Sequence, residues 1–149
     1  MSFVRNNWYV GAWRHELGDR PLSRRILDIP VVFFRRADGR PAALVDRCPH
    51  RLLPLSKGTV VGDTLQCGYH GMCFDGEGHC TRVPAQTRIP SDAQVRAFPV
   101  VEHWGMVWIW IGEPEKADPA RLFRALPWGE PGWTLNIGPY THVKADYRL

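Results

Sequence analysis

The 149-residue chain is 44% hydrophobic and 23% charged, with a net charge of +4, an ordinary composition for one soluble domain with a modest core. The apolar stretch WGMVWIWIG at 104–112 falls well short of the ~20 residues of a membrane span. MSFVRNNWYV at the N-terminus also lacks a signal-peptide pattern. The expectation is therefore no membrane partner and a cytoplasmic, reducing setting in which thiols stay free. Arginine dominates the positive charge, yet no Lys/Arg run or basic helix occurs, so nucleic acid is not expected as a partner. With 14 Gly, 13 Pro and 7 Trp, the chain predicts short strands and many turns.

In chain order, NNWYVGAWRHEL (6–17) predicts an aromatic strand ending in a helical turn. RRILDIPVVFFRR (24–36) carries β-branched and aromatic residues interrupted by Pro30, which suits one edge or bent strand. ADG (37–39) is a turn signal, and RPAALVDR (40–47) the return strand of a hairpin. A Gly-rich region follows, with short strands at TLQC (64–67) and MCFD (72–75) and a DGEG turn. QVRAFPVVEHWGMVWIWIG (94–112) predicts two strands joined at His103-Trp104-Gly105. EKADPARLFRAL (115–126) alone resembles a helix, with Asp118 as N-cap and Pro119 at the first helical position. GWTLNIGPYTHVKADYRL (132–149) reads as a strand that continues outward. The fold class expected is all-β.

Within this frame lie two Cys-His pairs: Cys48-x-His50, then sixteen residues, then Cys67-x-x-His70. Thiolates suit sulfide-bridged iron and imidazole suits borderline metals. Each loop offers one donor of each type, so each can give one ligand to each iron of a [2Fe–2S] cluster, with Cys48 and Cys67 on one iron and His50 and His70 on the other. A structural zinc site is the competing reading, but zinc fingers usually keep like ligands together and Cys-x-His is unusual for them. A disulfide framework is disfavoured by the histidines and the compartment. A catalytic Cys–His pair would not explain two copies. Gly68 and Gly71 allow close backbone approach, and Pro49 and Pro54 stiffen the first loop. Tyr69 either bonds a sulfur or packs over the cluster. Cys73 and Cys80 read as structural thiols, and His15, His79, His103 and His142 show no ligand spacing.

CPHRLLPLSKG and CGYHGMCFDGEGHC resemble the Rieske domain of ring-hydroxylating and O-demethylating non-haem iron oxygenases. FVRNNWYVGAW, RRILDIPVVFFRRADGRPAALVDRCPHR, FPVVEHWGMVWIWIGEP and HVKADYRL are similar to the vanillate O-demethylase and dicamba monooxygenase branch. The resemblance implies a Rieske-like antiparallel β sandwich with a two-loop [2Fe–2S] cluster-binding subdomain. It assigns Cys48, His50, Cys67 and His70 as the ligands. The two positions that carry an inter-loop disulfide in high-potential Rieske proteins are Leu53 and Tyr69 here. Residues 1–112 form the Rieske domain on this reading, and 113–149 a linker and the start of an absent catalytic domain. That domain would hold a mononuclear Fe(II). The partners implied are a flavin/iron–sulfur reductase or a ferredoxin, and the catalytic domain of the same or a neighbouring subunit. Arg47, Arg51 and Lys57 read either as the reductase-docking face or as solvated charges. A stand-alone Rieske-type ferredoxin is the other functional reading. Substrate and oligomeric state are not written in these residues.

Overall fold

The structure is a computed structural model that describes residues 3–84, 86–123, 130–134, 136, 141 and 143–145. Among them the regular elements are strands and short 3-10 turns. Three antiparallel sheets form, and the all-β expectation holds.

The central sheet has the order β2 (Leu22–Ile26), β3 (Ile29–Arg35), β4 (Pro41–Val45), β9 (Ala97–Phe98). Its middle strands are covered on both faces. Val31, Phe33 and Ala43 point one way, into a core with Val107, Ile109 and Ile111. Val32, Phe34, Ala42 and Leu44 point the other way, towards Leu55, Leu65, Phe74 and Val95. That is why VVFF runs apolar without alternation. Each fully buried side chain of this size stabilises the fold by roughly 1.5–3 kcal/mol.

On the first side lies the sheet β1 (Asn7–Trp13), β11 (Met106–Ile111), β10 (Val100–His103). β11 is buried on both faces as well, because Trp108 and Trp110 pack outward with Trp8 and Leu122. Trp8 Nε1 donates to the Asp118 carbonyl at 2.8 Å and Trp110 Nε1 to the Glu113 carbonyl at 2.9 Å. Residues 113–122 thus lie as a strap over β11. Gly11 is where β1 bulges, and a Cβ there would strike the Phe33 ring. On the second side of the central sheet sits the sheet β5 (Thr59–Val61), β6 (Thr64–Gln66), β7 (Cys73–Phe74), β8 (Cys80–Arg82).

Two expectations are corrected. The stretch 24–36 is not one strand: it belongs to a hairpin whose two-residue turn, Leu27-Asp28, has φ of 47° and 63°. Pro30 sits near the start of the central strand β3, where its carbonyl accepts the Asp46 N–H at 2.9 Å. The helix expected over 115–126 is absent from its described part, which forms 3-10 turns at Pro114–Lys116 and Pro119–Arg121. Asp118 does cap, accepting the Ala120 N–H at 2.9 Å. Each of the two segments makes only two consecutive i→i+3 bonds before the chain turns extended, the second time at Leu122, which is buried against the tryptophans. Residues 124–126, and most of the strand expected over 132–149, lie outside the described residues.

Candidate metal centre

The two loops carrying the Cys-His pairs have the same backbone design. Cys48 N–H donates to Leu53 O at 2.9 Å and Cys48 O accepts from Leu52 N–H at 2.9 Å. Cys67 N–H donates to Met72 O at 2.8 Å and Cys67 O accepts from Gly71 N–H at 3.1 Å. In each loop the residue four beyond the cysteine has a left-handed backbone: Leu52 at φ 58° and Gly71 at φ 73°. The first loop pays a steric penalty there that glycine spares the second. β4 delivers the first loop and the β6–β7 hairpin the second.

The loops meet. Cys48, His50, Cys67 and His70 line one small cleft, with Arg51, Leu53, Tyr69 and Met72 completing its wall. Both cysteines are buried and belong to the inner core, whereas both histidines are exposed. The His50 and His70 rings stand 4.7 Å apart. Burial pushes the Cys48 thiol up; the His50 and Arg51 N–H groups bonding its sulfur oppose that, and the neighbouring Cys67 thiol reinforces it. Two buried thiols in contact, with amides aimed at one sulfur, form a site that a cation would deprotonate on binding.

Among the described residues no three His, Cys, Asp or Glu converge on a single ion. Structural zinc sites put four donors on one metal. A two-iron cluster divides them into two pairs. Sulfurs inward and imidazoles outward are a division of the second kind, so the donor set fits a mixed Cys/His [2Fe–2S] cluster.

Of the remaining candidates, only Tyr69 lines this cleft. Tyr69 stacks on His70, centroids 3.8 Å apart, so its described ring contact is with the imidazole. Cys73 and Cys80 lie in β7 and β8, with sulfurs against the carbonyls of Gly71 at 3.5 Å and Arg82 at 3.4 Å. All four cysteines are free thiols. His15 stacks on Trp13, His79 pairs with Asp75 at 3.4 Å, and His103 packs on Trp104. His142 lies outside the described residues.

Sequence reasoning passed over Asp46. It is 6% exposed and accepts three bonds: from Ser23 Oγ at 2.9 Å, Ser56 N–H at 2.7 Å and Ser56 Oγ at 2.7 Å. The available signal was a lone carboxylate closing the apolar strand PAALV, two residues before Cys48.

Two Cys-His loops on an antiparallel β frame define a cluster-binding electron-transfer module. The chain belongs to the Rieske [2Fe-2S] domain family, whose model matches residues 7–99, and a [2Fe–2S] cluster is the cofactor of that domain. It is 46% identical over 150 residues to the oxygenase component of dicamba O-demethylase from Stenotrophomonas maltophilia, covering 100% of this chain and 44% of that protein. It is 42% identical over 148 residues to a vanillate O-demethylase oxygenase subunit from a Pseudomonas species, covering 99% and 41%. The crystal structure of dicamba monooxygenase bound to dicamba superposes with a TM-score of 0.80 at 49% identity, covering 83% of this chain and 37% of that one. The chain thus spans well under half the length of these relatives. No described helix is long and apolar enough to cross a membrane.

Proposed function

We propose that Cys48 and Cys67 hold one iron of the cluster and His50 and His70 the other, and that the chain relays single electrons from a reductase or ferredoxin to a mononuclear iron. That iron belongs to a catalytic domain outside these 149 residues, in the same or a neighbouring subunit, of an oxygenase that hydroxylates or O-demethylates an aromatic compound. Residues 1–112 are the electron-transfer unit on this reading, and the setting is cytoplasmic. The observation that carries it is the split of the four donors into buried thiols and exposed imidazoles within one cleft.

The cluster supplies reversible one-electron chemistry. The chain's residues do the rest. Cys48 and Cys67 keep the thiolate end under the inner core, shielded from water. His50 and His70 bring the other end to the surface, where a partner reaches the ring edges. Two neutral imidazoles in place of two thiolates raise the potential above that of an all-cysteine cluster. Arg47, Arg51 and Lys57 are exposed around the first loop. Residues 64–74 add no carboxylate to the rim, and Asp92 lines the groove on one side of His50 and His70, so it is the side of the first loop that suits an acidic electron donor.

The test is metal and sulfide analysis of the purified chain. Iron and acid-labile sulfide in equal amounts support the proposal. One zinc per chain without sulfide would refute it.

A further inference from the structure

In high-potential Rieske proteins a disulfide bridges the two loops; here those positions are Leu53 and Tyr69, and all four cysteines are free. Something else must hold the loops at a fixed separation, because a cluster bridging them tolerates little drift. Taking the two loops as the cluster loops, as proposed above, we infer that Asp46 is the tie that takes the disulfide's place.

Asp46 stands at the base of the first loop, between β4 and Cys48. Its backbone N–H is fixed on the Pro30 carbonyl at 2.9 Å. Its Oδ1 takes the Ser56 N–H at 2.7 Å, and its Oδ2 takes the hydroxyls of Ser56 at 2.7 Å and Ser23 at 2.9 Å. Ser56 lies in the 3-10 turn Leu55–Lys57, and that turn is wedged against the base of the second loop. Gly58 packs so closely on the Gln66 carbonyl that a Cβ would overlap it. A Cβ on Gly68 would lie 2.7 Å from the Lys57 carbonyl oxygen. Leu55, beneath the turn, is fully buried between the loops' core residues.

One carboxylate therefore joins the first loop to the turn, and backbone-to-backbone contact joins the turn to the second loop. Ser23 anchors the assembly to β2. Hydrogen bonds to a charged acceptor in a buried site are among the stronger ones in proteins, and losing the acceptor leaves its donors unpaired. Asp46 is a positioning residue: it touches neither cleft nor ligand donors and acts through Ser56.

Amide hydrogen exchange by mass spectrometry on the full chain as purified tests this. Asp46→Ala is expected to speed exchange about tenfold or more in peptides covering both 47–54 and 66–72, with β3 and β11 unchanged. Asp46→Asn is expected to restore protection, since its amide oxygen can accept from Ser56 N–H and the hydroxyls can turn. Ser56→Ala should give a weaker form of the same two-loop pattern if Asp46→Ala does not accumulate, and Ser23→Ala should leave the second loop unchanged. In cluster-loaded protein Asp46→Ala should broaden the reduced-state EPR lines. Faster exchange in 47–54 alone, or uniform loss of protection throughout the sheets, would overturn the tie. Exchange is read whether or not a cluster is present, so an absent Rieske EPR signal would count against the cluster assignment and not against Asp46.

Discussion

Gly68→Ala separates steric design from chance in the second loop. Gly68 lies next to Cys67, and its φ is not left-handed, so alanine brings no backbone strain. The cost is contact alone. The new Cβ would lie 2.7 Å from the Lys57 carbonyl oxygen, 3.4 Å from its carbon and 3.6 Å from Gly58 Cα. All are backbone atoms and none can swing aside, so the loop must retreat from the turn by about 0.8 Å to reach ordinary contact at roughly 3.5 Å. Overpacking of this kind costs about 1–3 kcal/mol. For a domain of this size 2 kcal/mol lowers Tm by roughly 4–8 °C. Gly18→Ala is the control, since a Cβ there meets nothing within 4 Å, and surface changes of that kind stay within about 0.5 kcal/mol. Thermal unfolding read by tryptophan fluorescence, together with the visible absorbance of the cluster, compares the two. If Gly68→Ala melts with Gly18→Ala and keeps its absorbance, the wedge between turn and loop is not tight and the reasoning fails.

Other substitutions test other levels. His70→Cys, once loaded with cluster, should lower the reduction potential by on the order of 200 mV or more, because a thiolate adds negative charge; voltammetry showing no change would count against His70 as a ligand. Replacing Arg51 and Lys57 by Gln should slow electron uptake from an acidic donor about tenfold at low salt, a difference that fades as salt screens the charges. Trp8→Phe deletes the 2.8 Å bond to the Asp118 carbonyl and should cost about 1 kcal/mol, measured by denaturant unfolding. Cys80 gives a pH test. Burial and, to a lesser extent, nearby Cys73 push its thiol above the ordinary 9.0, against a backbone N–H bond from Arg82. The unfolded chain therefore loses this proton first as pH rises, and stability should fall above about pH 9. Cys80→Val should flatten that decline, and an unchanged pH profile would remove Cys80 as its source.

The parts of the fold that local chemistry announces were legible. Ala37-Asp38-Gly39 marks the β3–β4 hairpin, and Gly39 at φ 81° is the residue such a turn demands. The two Cys-His pairs stood out because donor type and spacing are local features, and the structure brings all four side chains to one cleft. The β2–β3 turn was not legible: Leu27 and Asp28 adopt left-handed conformations usually left to Asn and Gly, and tertiary packing of Ile26 and Ile29 pays that cost. The 115–126 pattern carried a true cap at Asp118, but the apolar positions are spent on docking to Trp8 and Trp110 rather than on a helical stripe. Asp46 was invisible because its role depends on Ser23 and Ser56, distant in sequence and brought together only by the three-layer stack.

The most direct measurement is the EPR spectrum of the reduced chain. Two imidazoles on one iron and two thiolates on the other predict a [2Fe–2S] signal whose average g value lies below that of an all-cysteine cluster. A signal with the all-cysteine average, or a diamagnetic protein holding one zinc, would contradict the assignment of Cys48, His50, Cys67 and His70.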